Sequence, residues 1–240
     1  MKFDVLAIGA HPDDVEIGCG GTVALLSKQG FDVAIVDLTR GLLATRGNDD
    51  IRQKEAEASR GILGAKERIQ LNFNEGSLLG DKWNLLRMVS LIRRTRPSIV
   101  LVPYWDDRHP DHDESSRLIR SSCFWAGVKK FGDNQPPYRP KRLLYYFLHF
   151  VGDITFIVDI SEVFAKKMEA ISAFSSQFGP RTIGEDETFI SRPKFISRIE
   201  SRAKSYGEEI GAEYGEAFHI RESMRMNNLM DWVNTQGEVG

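Results

Sequence analysis

Two rhythms of apolar and polar positions alternate along the first half of the chain. Short, near-continuous apolar runs at Phe3–Gly9, Asp32–Leu38, Ile69–Phe73 and Ile99–Val102 read as strands buried on both faces. Between them lie stretches with helical periodicity and helical stop signals. Gly18–Gln29 ends before Gly30, Asp49–Leu63 before Gly64, and Asp81–Arg96 must stop before Pro97. Arg40–Asn48 and Pro103–Asp111 read as loops, and His112–Lys130 as a further helix. Strands alternating with helices at this spacing predict βαβ units, hence an α/β fold with a Rossmann-like, mainly parallel sheet and flanking helices.

The rhythm changes after the Pro-rich break at Asp133–Pro140. Arg142–Phe150 and Thr155–Val158 read as strands and Ser161–Phe174 as a helix. Gln177–Thr188 is polar and Gly-containing, which predicts a mobile loop. Ser191–Gly211 reads as a long helix, followed by a short extended stretch and a last helix near Asn227–Val233. The expectation is a single domain over 1–240: a Rossmann-like core over 1–132 and a small C-terminal β/α cap over 141–240. No internal repeat or low-complexity segment interrupts it.

At 240 residues, with 41% hydrophobic and 28% charged residues, the chain can bury a sizeable core and is no disordered segment. A net charge of −2 gives no pull toward nucleic acid or an anionic membrane. The cluster Arg93-Arg94-Thr95-Arg96 fits the cation-favouring end of a helix instead. No apolar run approaches the roughly 20 residues that cross a bilayer. Phe3–Ile8 is too short, and carries an Asp, for a secretory leader. Two cysteines, Cys19 and Cys123, make no disulfide framework, so the cytoplasm is the expected compartment.

Chemistry concentrates where two of the apolar runs end. Three of the five histidines lie in Ala10-His11-Pro12-Asp13-Asp14-Val15-Glu16 and His109-Pro110-Asp111-His112. His with Asp is a ligand set that suits a borderline divalent metal. Open α/β sheets bind ligands at the carboxyl ends of strands, so if the two strands are neighbours both loops meet. His11, Asp14 and His112 then offer two nitrogens and an oxygen, with a fourth position left for water, as in catalytic zinc sites. Asp13 is placed as a general base. His109 could stabilise a developing oxyanion if protonated, and Asp111 could orient a histidine.

Blander readings stand beside these. Asp-Asp after a strand is an ordinary helix N-cap, and His-Pro-Asp alone is commonly a turn. Gly18-Cys19-Gly20-Gly21-Thr22 could cradle a phosphate, yet Asp13, Asp14 and Glu16 would repel one, so close packing is the expected role. Cys19 reads as a small buried residue, and His149 and His219 as structural. Tyr104-Trp105 is a sugar-stacking surface or a pocket wall, and Arg52 has a surface ion pair with Glu55 or Glu57 as its plain alternative.

With both motifs in place, the chain resembles the PIG-L / LmbE-like zinc N-deacetylases over nearly its whole length. Asp37-Leu38-Thr39-Arg40-Gly41, Thr45-Arg46-Gly47, Trp105-Asp106-Asp107-Arg108, Ser175-Ser176-Gln177-Phe178 and Tyr214-Gly215-Glu216-Ala217-Phe218 look like the bacillithiol-biosynthesis branch. That branch hydrolyses N-acetylglucosaminyl malate. The resemblance implies zinc on His11, Asp14 and His112, Asp13 as base and His109 as oxyanion partner. It further implies Arg52 at sugar hydroxyls, Arg108 at a malate carboxylate, and a homo-oligomer, up to a hexamer. Iron(II) competes for the same His/Asp ligands. Branch members often carry Glu after the Thr-Arg-Gly turn, where this chain has Leu42-Leu43-Ala44, a difference expected to alter substrate choice. The alternatives are a deacetylase of N-acetylglucosamine, chitobiose or an inositol conjugate, and a non-catalytic sugar-binding protein.

Overall fold

The four apolar runs of the first half form β1 (Val5–Gly9), β2 (Val33–Asp37), β3 (Glu67–Gln70) and β4 (Ile99–Pro103), mutually parallel, in a computed structural model. The structure describes residues 1–180, 186–225, 227–228 and 230. Every residue of β1 and β2 is buried, which is why these strands read as unbroken apolar runs. Helices α1 (Asp14–Lys28), α2 (Asp49–Leu63), α3 (Lys82–Thr95) and α4 (Pro110–Ala126) connect or follow them. One face of the sheet packs Leu6, Ile8 and Val102 against Met88 and Ile92 of α3 and Leu118 and Ile119 of α4. The other packs Val5, Ala7 and Ile35 against Val23 of α1 and Leu63 of α2.

β5 (Arg142–Tyr146) adds in parallel to β4. Beyond it β6 (Phe156–Asp159) and β7 (Gly215–His219) run antiparallel, giving the order β3-β2-β1-β4-β5-β7-β6. A short 3-10 turn (Ser161–Val163) leads into α5 (Phe164–Ser172), then α6 (Ser175–Phe178) and α7 (Pro193–Glu209). The C-terminal strands thus extend one edge of the same sheet. The short extended stretch after α7 is a strand, inserted between β5 and β6. Of the loop expected over Gln177–Thr188, Gln177 belongs to α6 and residues 181–185 lie outside the described residues. The last helix expected near Asn227–Val233 also lies largely outside them.

Several boundaries differ from expectation for physical reasons. β3 starts and ends earlier than Ile69–Phe73 because it is an edge strand, whose polar side chains are tolerated and whose Arg68 turns inward to Asp37 and Glu16. α1 starts at Asp14 rather than Gly18 and breaks at Cys19, whose φ is −145°. Past the break, the carboxylate of Glu216 on β7 accepts from Gly21 N, Thr22 N and Thr22 Oγ1 (2.8, 2.7 and 2.7 Å). Lys167 of α5 neutralises it at 2.5 Å. The donors a phosphate would have used are therefore taken by an internal carboxylate. The glycines serve packing: a Cβ at Gly18 would fall 2.2 Å from the Tyr146 ring.

Candidate active site

β1 and β4 are hydrogen-bonded neighbours (Val5↔Ile99), and the strand order reverses between them. The loops leaving their carboxyl ends open into one cleft of about 520 Å³. His11, Asp13, Asp14, His109, Asp111 and His112 all line it, together with Arg52 and Arg108. The first loop is held under strain: Asp13, the residue before α1, has φ 114°. L-residues avoid that region, and such strain persists where surrounding contacts hold it. Arg52 supplies them, donating from Nη2 to Pro12 O (2.8 Å) and from Nη1 to Gly41 O (3.1 Å), with Asp13 Oδ2 3.7 Å away. Arg52 is buried and among the described residues makes no surface ion pair; Glu55 accepts instead from Ser175 and Ser176, and Glu57 pairs with Arg60.

Asp14 sits between the two histidines expected to share a metal with it. Its Oδ2 is 3.5 Å from His11 Nδ1 and its Oδ1 3.2 Å from His112 Nε2. With ligand bonds of about 2.0–2.1 Å, the edge of a tetrahedron is about 3.3–3.4 Å, so these separations suit a shared cation. Each histidine is backed by a carboxylate on its other nitrogen. His11 Nε2 donates to Asp111 Oδ2 (3.0 Å), and His112 Nδ1 donates to Asp107 Oδ1 (2.8 Å). Backing of this kind fixes the tautomer and ring orientation of a metal-binding imidazole. Asp111 is itself anchored by Gly76 N at 2.9 Å.

His109 plays a different part. It precedes α4 as its N-cap, and its Nδ1 accepts from Asp111 N at 3.2 Å. The donor atoms of His11, His109 and His112 lie within 4.8 Å of one another. Because Nδ1 is an acceptor, the proton of a neutral His109 sits on Nε2. Burial and the positive charges of His11 and His112 push its pKa down. A neutral His109 therefore carries an Nε2–H, a donor of the kind that oxyanion stabilisation uses.

The electrostatics favour a cation. Burial pushes against the His11 and His112 imidazolium forms. Their carboxylate partners outweigh it, lifting His11 to about 10 and His112 to about 9. Burial likewise opposes ionisation of Asp14 and Asp107, yet the histidines hold both carboxylates well below their ordinary range. Asp13 is the exception. Burial lifts it to about 7, with Arg52 pulling down and Asp14 pushing up. Four carboxylates around two imidazoles form an excess of negative charge that favours cations, and a divalent ion carries the same charge as the two imidazole protons it would replace. The donor set and its spacing fit a metal.

Sequence reasoning missed Asp107 and His149. Asp107 Oδ1 also accepts from His149 Nδ1 (3.0 Å), and Oδ2 accepts from the backbone N–H of His149 (2.8 Å) and Phe150 (3.2 Å). His149 lines the cleft, stacked on His112 with centroids 5.6 Å apart. The Asp-Asp-Arg run before His109 is the available signal for Asp107. His149 has none. Arg108 lies at the cleft with its guanidinium 4.2 Å over the Phe189 ring. Leu43 and Ala44 line the cleft but Leu42 does not, and Glu75 accepts from the N–H groups of both leucines. Tyr104 and Trp105 stack on each other and pack against His219 edge-on, and none of the three lines the cleft.

Residues 6–123 match the family described as PIG-L: GlcNAc-PI de-N-acetylase. A diacetylchitobiose deacetylase of Thermococcus kodakarensis is 31% identical over 90% of this chain and 82% of its own. A probable N-acetyl-alpha-D-glucosaminyl L-malate deacetylase 2 of Bacillus cereus is 25% identical over 74% of this chain and 84% of its own. Among solved structures, the conserved protein TT1542 of Thermus thermophilus superposes with a TM-score of 0.85 at 32% identity, covering 93% of this chain and 97% of that one.

Proposed function

The chain belongs to the PIG-L family of de-N-acetylases, and on that premise we propose that it hydrolyses the N-acetyl group of an N-acetylglucosamine conjugate, releasing acetate. The observation that carries this is the Asp14 carboxylate set between His11 Nδ1 and His112 Nε2, with Asp13 and His109 in the same cleft. His11, Asp14 and His112 would hold the metal, zinc or iron(II). When bound it supplies a Lewis acid for the amide carbonyl and lowers the pKa of water. Asp13 takes a proton from the attacking water and returns it to the departing amine nitrogen. Its high pKa in the metal-free site marks a carboxylate able to hold that proton, and the nearby Arg52 keeps it aligned. His109 Nε2–H donates to the carbonyl oxygen as negative charge develops there. Asp111 and Asp107 hold His11 and His112 in the tautomers that present Nδ1 and Nε2 to the cation.

For the finer substrate we infer an acidic aglycone, as in N-acetylglucosaminyl malate. Arg108 supports this: among the described residues it forms no ion pair, and the Phe189 ring holds it at the cleft. A second reading, a neutral chitobiose-type substrate, is favoured by the broader similarity to the diacetylchitobiose deacetylase. Comparing acetate release from both compounds in wild type and Arg108→Gln separates them. An acidic substrate loses several-fold in kcat/KM in the variant, and a neutral one does not. No helix among the described residues is long and apolar enough to cross a membrane. A cytoplasmic homo-oligomer completes the proposal, and sedimentation of the purified protein tests the assembly.

A further inference from the structure

A second cleft, of about 110 Å³, shares no lining residue with the catalytic one among the described residues. Trp105, Ser116, Arg117, Arg120, Tyr145 and Arg221 surround it. Arg117 and Arg120 lie one turn apart on α4, and Arg221 follows β7. Among the described residues none of the three arginines forms an ion pair. The Arg221 guanidinium is instead stacked 4.7 Å over the Trp105 indole, which fixes it at the cleft. Tyr145 and Ser116 are each 1% exposed. Their hydroxyls nevertheless make no hydrogen bond among the described residues. Neither oxygen is sealed from solvent, so both hydroxyls are available to donate into the cleft.

The chemistry of the cleft has one sign. Three guanidinium groups and two hydroxyls offer donors, and among the described residues no carboxylate lines it. Arg120 and Arg221 both favour ionisation of the Tyr145 hydroxyl electrostatically, against an opposing field from Glu222, although burial dominates and lifts it to about 12. Among the described residues Glu222 is thus the acidic side chain that bears on the Tyr145 hydroxyl, outnumbered by the arginines. The cleft is too small for a glycoside and large enough for a tetrahedral oxyanion. Guanidinium forks match the oxygen spacing of a phosphate, which can accept from several at once.

We propose that the cleft between α4, Trp105 and Arg221 is an anion site that binds a phosphate group through Arg117, Arg120 and Arg221, with Tyr145 and Ser116 donating from its floor. The phosphate comes either as the free ion or as a phosphomonoester. The site does not depend on the deacetylase assignment.

Isothermal titration of the metal-loaded protein with inorganic phosphate and with glycerol phosphate, at ionic strength held constant with chloride, tests it. Saturable binding is expected for at least one of the two, and which one identifies the source. Arg120→Gln and Arg221→Gln should each weaken it tenfold or more while metal content and melting temperature stay at the wild-type value. Tyr145→Phe, which keeps the ring and removes only the hydroxyl, should weaken it several-fold. Because phosphate can also bind at a metal, Asp14→Ala should retain the binding. Binding lost in Asp14→Ala but kept in Arg120→Gln would overturn the proposal. So would no saturation of either ligand below tens of millimolar. So would unchanged affinity in the arginine variants accompanied by a change in sedimentation, which would make this face a protein contact.

Discussion

Asp107→Asn isolates the carboxylate that joins the two halves of the cleft. The wild-type side chain is nearly inaccessible and accepts five hydrogen bonds. Oδ1 takes the imidazole Nδ1–H groups of His112 and His149 and the backbone N–H of His109; Oδ2 takes the backbone N–H groups of His149 and Phe150. An asparagine has one acceptor oxygen. With that oxygen toward the imidazoles, the N–H groups of His149 and Phe150 face an NH₂. With it toward those N–H groups, His112 loses its Nδ1 acceptor and can take the wrong tautomer. Either way at least two donors lose their acceptor, at about 1–3 kcal/mol each, so a stability loss of about 2–6 kcal/mol is expected. Loss of the carboxylate behind a metal-binding histidine typically costs about 10–100-fold in metal affinity or activity, or about 1.4–2.7 kcal/mol. Chelator competition gives the metal affinity, and urea unfolding of the metal-free protein gives the stability. A variant with wild-type values in both would show that Asp107 neither orients His112 nor ties down the 149–150 turn.

Asp13→Asn should keep metal within a few-fold and lose at least about 100-fold in kcat, as removal of a general base does; retention of wild-type turnover would remove Asp13 from proton transfer. His112→Ala should lose bound metal on dialysis, and unchanged metal content would refute its role as a ligand. Metal loading at pH 7.5 should release on the order of two protons, because His11 and His112 are lifted to about 10 and about 9 in the metal-free protein and must be neutral to ligate. Calorimetry in buffers of different ionisation enthalpy reads this number, which should fall toward zero above pH 10. By the same shifts, stabilisation of the metal-free protein by these imidazoliums is complete below about pH 6.5 and lost as pH rises through 9 to 10. A flat melting temperature across that window would contradict it. Cys123, buried with its thiol pushed up to about 12, and the equally buried Cys19 should react with a thiol reagent at pH 8 only after unfolding.

The parallel core was legible because strands buried on both faces leave unbroken apolar runs, as in Val5-Leu6-Ala7-Ile8. The same logic explains why the bounds of β3 and the place of β7 in the sheet were not. β7 carries the buried Glu216 among its five residues, a charge retained because it caps the second half of α1 and pairs with Lys167. β3 is an edge strand whose Glu67, Arg68 and Gln70 hide its pairing. In the cleft, His11, Asp13, Asp14, His109, Asp111 and His112 were legible because their spacing within two motifs is local. Asp107 and His149 meet only through the β4–β5 register, in which Pro103 pairs with Tyr146, a tertiary relation no local spacing records. The inward course of Arg52, which strains Asp13 rather than pairing on the surface, is invisible for the same reason.

Acetate release from N-acetylglucosaminyl malate and from diacetylchitobiose, by protein reconstituted with zinc or iron(II) and by a chelated control, tests the central claim most directly. Chelator-sensitive release from at least one of them, abolished in Asp13→Asn, is the predicted result. Metal bound at His11, Asp14 and His112 with no acetate released from any N-acetylglucosamine conjugate would contradict it.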